Sequence, residues 1–434
     1  MVKKMVSYIL LLHLTGYAFP AHCQQVSLND IARHYVKLGL AIGAYDTDFV
    51  DAYYGPDSLR PAKEAKSIFP KDDFLRQAKS LQNDLSIYLY KPGDVGQRAR
   101  WLNQQLTAYQ RRIRIFAGEF SSFDTESKEL FGVAAPEYPE SYFKKLVSDL
   151  DKLLPGNGDI PSRFQSLASR FVIPVAKLDT VFKTAIAESR KRTNAHYVLP
   201  GQEHFTLEFV KNKSWSGYNW YQGNYNSLIQ INTDIQIFIE RAIDVASHES
   251  YPGHHVYNML LEKNLYRDKD QVEISFYPLF SPQSLIAEGS ANYGIDVVFP
   301  GKDKVDFAKK VLLPLAGLDT TGIELYFQVL ALKGRLNFVR NEVGRGLLNK
   351  TMDEKEALQW LMNYGLNNEE TANKSIGFIR KYRSYVINYN YGLELVKNYI
   401  EGKGGLVTLP AKRWELFGKL LSEQVCTSDL FLNK

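Results

Sequence analysis

Apolar residues recur at helical spacing along the first part of the chain. Ile31, Tyr35, Leu38 and Ile42 form one face of a helix that begins in Ser27-Leu-Asn-Asp30, a pattern typical of a capping box. Further helical stretches follow at 71–92, 95–120, 123–131, 139–153 and 161–193. The pattern predicts a helical N-terminal region over 24–195.

The periodicity changes between Tyr197 and Asn232. HFTLEFV and SLIQIN alternate apolar and polar residues, and GYNWYQGNYN between them is rich in aromatic and turn residues. We expect a small antiparallel β-sheet here. Asn232 or Thr233 then caps a helix that runs through IQIFIERAIDVAS into His248.

Helices are expected again in the rest of the chain. Ser281-Pro282 is an N-cap followed by proline at the first helical position, and Thr351-x-x-Glu354 is a second capping box. A last long helix is expected from about Asn368 to Gly402. The fold class is therefore mainly α with a small antiparallel sheet, and 196–434 forms a second region that contains this sheet and the C-terminal helices.

Composition narrows the functional classes. The chain has 434 residues, 45% hydrophobic and 23% charged, which is enough for a large core. The net charge is +5 without a long basic run, so nucleic acid is excluded as an expected partner. Two cysteines exclude a disulfide framework.

The N-terminus is typical of an export signal. Lys3 and Lys4 precede a short apolar run, and small residues follow up to Cys23. A signal peptide over 1–23 with cleavage before Gln24 is expected, which predicts a periplasmic or extracellular protein; a lipid anchor on Cys23 is the alternative. No other window is apolar for the roughly 20 residues that a transmembrane helix needs.

The stretch HESYPGHH, His248 to His255, departs from the zinc-peptidase pattern HExxH. Pro252 occupies the position of the second histidine. On a straight helix His254 would lie about 9 Å along the axis from His248 and about 120° around it, too far to share a metal ion. Because Pro252 and Gly253 interrupt a helix, the turn is expected to kink or widen and bring a later imidazole back.

His254 is the expected second ligand beside His248, and His255 is expected to support the site or to donate to the transition state. The spacing along the sequence does not decide which of these two histidines, His254 or His255, is the ligand. A simple helix end with surface histidines is the alternative, but it leaves unexplained why three of the eight histidines gather beside a glutamate.

A catalytic zinc site usually has three protein ligands and an open position. Glu288, in LIAEGSANYG, lies among apolar and small residues, where a carboxylate needs a partner. We expect it to be the third ligand, although an arginine partner would also satisfy it. Glu249 is then the general base that accepts a proton from water.

The negative charge that develops in the transition state needs a hydrogen-bond donor. Tyr382, Tyr385 and Tyr389 recur at helical spacing, and Arg383 lies among them. Tyr389 and Arg383 are the expected catalytic donors, with core packing as the alternative role of the tyrosines.

The motif residues resemble an uncharacterised bacterial family marked by HExxPGHH and EGWAxY. That family is similar to gluzincin-like metallopeptidases, in which a mostly helical protein places the edge strand of a small sheet beside the motif helix. A C-terminal YxxG is matched by Tyr389 to Gly392, while Ser290 replaces the tryptophan of EGWAxY. The resemblance covers about 200–400 and implies peptidase activity.

These observations favour an exported zinc hydrolase that cleaves short peptides, with Zn²⁺ as its cofactor and a peptide or small amide as its substrate. The stretch SWSGYNWYQGNYNSLIQIN would supply a substrate-binding strand. Two alternatives remain: an amidase or esterase acting on a non-peptide substrate through the same metal, and a non-catalytic exported binding protein with a relic site.

Overall fold

The structure is a computed structural model that describes residues 26–62, 68–213 and 215–431. The expected signal peptide and Cys23 lie outside these residues. Within them, no helix combines the length and the apolar character needed to cross a bilayer. Cys426 is buried and has no disulfide partner among the described residues.

The N-terminal region is helical, as expected, and α1 is capped by the Ser27 side chain, which accepts from the Asp30 amide. The expected helix over 161–193 is divided, because Pro174 cannot continue a helix and Ile173 instead donates to the Ile237 carbonyl at 2.9 Å. The helices are α1 Leu28–Gly43, α2 Lys71–Leu85, α3 Gly93–Phe116, α4 Phe123–Phe131, α5 Glu140–Leu153, α6 Ile160–Ala168 and α7 Leu178–Asn194.

In the described residues, five strands form two small sheets. β1 (Val50–Tyr53) pairs with β5 (Phe276–Pro278) in an antiparallel ribbon. The other sheet contains β2 (His204–Val210), β3 (Gly217–Gly223) and β4 (Asn226–Asn232) in the order β2-β4-β3.

The expected antiparallel sheet is wrong in one respect, because β2 and β4 are parallel. After β2 the chain crosses to the far edge, makes β3, and returns through a hairpin, so β4 runs antiparallel to β3 and parallel to β2. The alternation of apolar residues predicts strands but does not indicate whether they are parallel or antiparallel. The result places β3 at one edge of this sheet.

The helix that carries the motif begins later than expected. Phe238 precedes its first residue, and 233–238 is an irregular connection because the chain there turns back to contact Ile173. α8 (Ile239–Val245) continues into a π-helical turn, Ala246–Ser250. The helix resumes as α9 (His254–Leu261).

Among the remaining helices, α10 (Pro282–Val298) packs along α17 (Ile387–Gly402) and against the π-helical turn of the motif. Asp353, rather than Thr351, caps α15, and Arg383 at φ +55° divides the long helix expected over 368–402. The elements are α10 Pro282–Val298, α11 Asp303–Phe307, α12 Leu313–Ala316, α13 Ile323–Arg335, α14 Val339–Leu348, α15 Glu354–Asn363, α16 Glu369–Tyr382, α17 Ile387–Gly402 and α18 Pro410–Ser422.

Candidate metal centre

The backbone of the motif is widened and then interrupted, as the Pro-Gly step predicts. Tyr251 N donates to the Ala246 carbonyl at 3.0 Å, which closes a π-type turn. Gly253 N donates to the Ser247 carbonyl at 2.9 Å. A Cβ atom on Gly253 would clash with the carbonyl group of His248, so this close return of the chain requires glycine.

The return brings two histidines and one glutamate together. The Nε2 atoms of His248 and His254 lie 3.1 Å apart. Glu288 Oε2 is 3.5 Å from His248 Nε2, and Glu288 Oε1 is 3.8 Å from His254 Nε2. The three potential ligand atoms all lie within 4.8 Å of one another. These are the three expected metal ligands.

Glu288 is held in place by a close contact between α10 and α17. Gly289, the next residue, packs against the backbone of Gly392, where a Cβ atom on either glycine would clash with the opposite helix. Gly392 is also the glycine of the Tyr389-x-x-Gly392 pattern. The contact therefore joins two motifs that are separate in the sequence and fixes the carboxylate that points at the histidines.

The residues fit a zinc ion. Zinc binds imidazole nitrogen and carboxylate oxygen at roughly 2.0–2.2 Å in tetrahedral geometry, which places two ligand atoms about 3.4 Å apart. The distances of 3.1 and 3.5 Å agree with this value. In addition, Glu288 Oε2 is buried without a hydrogen-bond partner within the chain, as a carboxylate oxygen reserved for a cation would be.

Both histidines are in the neutral protonation state that metal binding requires. Burial, followed by the charges of His254 and Arg241, holds the pKa of His248 well below its usual value. Burial lowers the pKa of His254 to about 4. The imidazoles are therefore neutral at physiological pH and can each offer a nitrogen lone pair.

Three carboxyl groups approach the same point. Burial and the charges of Glu249 and Asp51 raise the pKa of Glu288 well above its usual value, while donation from Tyr385 lowers it. Burial also raises the pKa of Glu249 to about 7, opposed by the charge of Arg241. Such a concentration of acidic groups favours a bound cation.

Glu249 lies beside the three ligand residues. Its Oε1 atom is 3.9 Å from His248 Nε2, and its side chain is 10% exposed. Asn219 Nδ2, on β3, donates to the Glu249 carbonyl at 2.6 Å. This bond attaches the edge strand of the sheet directly to the motif.

Two neighbours of the site are absent from the sequence prediction. Asn292 lies near the His248 ring, and its side chain opposes the lowering of the His248 pKa. It follows Glu288 by one helical turn, and that spacing could have revealed it. Asp51, on β1, accepts from the Tyr218 hydroxyl and carries no local signal, since only the fold brings it here.

His255 does not join the cluster, which corrects the expected role as a donor to the transition state. Its side chain has no exposed surface, and both ring nitrogens are engaged: Nδ1 with Ser227 Oγ at 2.8 Å and Nε2 with Glu203 Oε2 at 3.1 Å. Glu203 also accepts from Tyr251 at 2.6 Å. His255 thus anchors the turn that presents His254.

Arg383 does not lie at the candidate site, so the structure does not place it as the expected catalytic donor. Its guanidinium donates to both carboxylate oxygens of Glu126, at 2.6 and 2.8 Å, and lies over the ring of Phe120. The positive φ of Arg383 turns the chain between α16 and α17 and directs this side chain to α4. Its donors are therefore committed to a structural ion pair.

Tyr389 lies on the site side of α17. It is 38% exposed, and burial together with the charge of Glu288 raises its pKa above the usual value. The phenol therefore remains protonated at neutral pH and can donate. Tyr385 packs against it, with ring centroids 5.7 Å apart.

Comparisons with known proteins support the fold more than the chemistry. No family model and no curated protein matches the chain. A candidate lipoprotein from Colwellia psychrerythraea has a similar structure, with a TM-score of 0.51 and 14% identity over 83% of this chain and 68% of that one. Trypanosoma cruzi metallocarboxypeptidase 1 gives a TM-score of 0.36 and 10% identity over 92% and 94% of the two chains, too low for a shared fold.

Proposed function

We propose that the protein is an exported zinc-dependent metallopeptidase of gluzincin-like architecture that acts on short peptides. The observation that carries this proposal is the convergence of His248, His254 and Glu288 within 4.8 Å, with Glu249 adjacent. Two neutral imidazoles, one carboxylate and a neighbouring carboxylate are the side chains that hydrolytic zinc sites use.

His248, His254 and Glu288 would hold the ion. When bound, zinc supplies a Lewis acid that polarises a carbonyl group and makes water acidic near neutral pH. Glu249 accepts the proton from the attacking water and later delivers it to the leaving amine. Tyr389 donates a hydrogen bond to the carbonyl oxygen as negative charge develops on it.

The edge strand β3 supports a peptide as substrate. Within the described residues β3 pairs with β4 on one side, and Asn219 fixes it against the motif. An extended peptide can add to such an edge through backbone hydrogen bonds, which places one of its carbonyl groups near Glu249. This geometry favours a peptide over an ester or a non-peptide amide.

The proposal is tested by metal analysis combined with turnover. The purified protein is expected to contain about one equivalent of zinc, and His248→Ala or Glu288→Ala is expected to lose it. Glu249→Gln should keep the metal and lose peptide hydrolysis, since an amide cannot accept the proton. Glu415→Gln, on the surface of α18, is the control and should be fully active.

A peptide library and a panel of esters and non-peptide amides would be assayed side by side. Zinc-containing protein that cleaves only the non-peptide panel would replace the peptidase proposal with the amidase or esterase alternative. Metal-free protein that is fully active would contradict both.

A further inference from the structure

A cavity of about 310 Å³ lies next to the general base. Ser216 and Val245 form part of its wall. Gly217 follows Ser216, and a Cβ atom built on Gly217 would lie 3.6 Å from Glu249 Oε1 and 3.7 Å from Val245 Cγ2. The wall of the cavity is therefore continuous with the site that holds Glu249.

The lining is mostly apolar, and its polar residues are Ser216, Asn232, Gln236 and Arg241. Arg241, on α8, is the cationic side chain of the cavity. Its Nη2 donates to Ser216 Oγ at 3.1 Å, and its Nη1 forms a long ion pair with Asp244 Oδ2 at 3.9 Å. The guanidinium is 37% exposed and has five N–H donors, so most of them are free to bind a ligand. The apolar residues are Phe182, Ile231, Ile235, Ile237, Phe238 and Val245.

The size of the cavity limits what it can hold. Small-molecule sites usually occupy about 300–1,000 Å³, so this one is at the lower end and suits a single amino-acid residue. An apolar wall with one guanidinium fits a ligand that combines an apolar side chain with a carboxylate, because arginine binds carboxylates through paired hydrogen bonds.

We propose that this cavity binds the C-terminal residue of the peptide substrate, with its apolar side chain against the wall and its α-carboxylate at Arg241. The inference rests on the proposed peptidase function and assigns its substrate class: short peptides with a free carboxyl terminus and an apolar last residue. Arg241 is thus a specificity-determining residue.

The first test measures binding, independently of turnover. N-acetyl-L-phenylalanine and its neutral amide would be titrated into the wild-type protein by calorimetry, with and without zinc. The carboxylate is expected to bind about tenfold to a hundredfold more tightly than the amide, the usual effect of a hydrogen-bonded charge. Arg241→Gln should abolish this difference, and Arg241→Lys should retain part of it.

Two further variants complete the binding test. Ile235→Glu adds a negative charge at the rim, where the side chain is 54% exposed, and is expected to weaken binding of the carboxylate without disturbing the fold. Arg380→Gln, a surface arginine paired with Glu354, is the matched control and should bind as the wild type does. Equal affinity of the wild type for the acid and the amide would overturn the inference.

The second test compares hydrolysis of acetyl-Ala-Phe, its C-terminal amide and acetyl-Ala-Lys. The free acid ending in phenylalanine should have the highest kcat/KM, and Arg241→Gln should lose that preference. Zinc-dependent cleavage with no preference for a free carboxylate would reject the inference and leave the peptidase function intact. Binding through Arg241 in a protein without hydrolytic activity would retain the site and reject the proposed function.

Discussion

Two adjacent histidines have opposite surroundings. His254 Nε2 faces His248 and Glu288, whereas His255 is fully buried between Ser227 and Glu203. His254→Ala is expected to lose zinc but to change the stability of the metal-free protein little. His255→Ala should destabilise the metal-free protein by about 2–5 kcal/mol, since it leaves a cavity and two unpaired polar groups.

Metal content and urea unfolding of chelator-treated protein measure the two effects separately. Glu203 adds a reason for the loss of stability in His255→Ala. Burial raises the pKa of Glu203, but hydrogen bonds from His255, Tyr251 and Arg190 outweigh this effect and lower the pKa to about 2. Equal loss of zinc and equal stability in the two variants would contradict these assignments.

Glu240 gives the protein a pH-dependent stability that is separate from the metal centre. Burial, followed by the charge of Asp244, raises its pKa from 4.5 to about 7, and Tyr326 donates to it at 2.9 Å. Because the folded pKa is raised, this contribution is fully present below about pH 4.5 and is lost as pH rises through about 7. Because glutamine does not ionise, Glu240→Gln removes this loss of stability at high pH.

The free energy of unfolding of Glu240→Gln should exceed that of the wild type at pH 8.5 by on the order of 3 kcal/mol, and the difference should become small near pH 5. Urea unfolding at both pH values measures it. The other charged groups near Glu240, which are Arg241, Asp244 and Lys333, are present in both proteins and cancel in the comparison. A difference that is independent of pH would contradict the assignment.

Single residues of the site could be predicted when the chemistry was concentrated in a short stretch. His248, Glu249 and His254 stand together, and Glu288 is conspicuous as a carboxylate among apolar neighbours. Asp51 could not be predicted, because only the pairing of β1 with β5 brings it to the site. Arg383 was misassigned because helical spacing does not show which neighbouring element a side chain faces.

At the scale of elements, the candidate metal centre depends on a helix that is broken at Gly253. The Cβ atom of an alanine there would meet the backbone of Ser247 and His248, which cannot move away without displacing a ligand. Gly253→Ala is therefore expected to weaken zinc binding by at least about tenfold, the effect of little more than 1.4 kcal/mol. Competition with a fluorescent chelator measures the affinity.

Gly334 provides the control for this variant. It lies in α13 with no atom near the position of an added Cβ, so Gly334→Ala should keep zinc affinity and raise stability by about 0.5–1 kcal/mol. Unchanged zinc affinity in Gly253→Ala would show that the chain can reach the ligand geometry without a glycine.

The elements themselves were predictable where local signals are strong. Ser27 and Ser281 cap α1 and α10 as their sequences indicate. The errors fall where tertiary contacts override a periodic pattern: Ile173 leaves the helix to contact Ile237, and Arg383 ends α16 to reach Glu126. The direction of β4 relative to β2 was also predicted wrongly, because it depends on the crossover between β2 and β3.

At the scale of the whole molecule, a buried ion pair joins α3 to the segment that precedes β5, and a second pair lies within the N-terminal part of the chain. Arg98 of α3 donates to both oxygens of Glu273, at 2.6 and 2.8 Å, and Arg112 donates to Asp46 at 2.5 and 2.9 Å. Glu273 precedes β5, which pairs with the strand that carries Asp51. The two parts of the chain also share one hydrophobic core.

This arrangement predicts that the whole chain unfolds in one transition. It also predicts that replacing both Arg98 and Glu273 by apolar residues changes the free energy of unfolding much less than replacing one of them. Arg98→Met leaves Glu273, which has no exposed surface, as an uncompensated charge and should cost about 3–5 kcal/mol. The double variant Arg98→Met, Glu273→Leu should recover most of that loss. Recovery is incomplete because Gln424, which donates to Glu273 at 2.9 Å, then lacks its acceptor. Urea unfolding followed by fluorescence and by zinc release measures both effects. A double variant as unstable as Arg98→Met would contradict the role given to the ion pair, and zinc release well before the loss of helix would contradict the single transition.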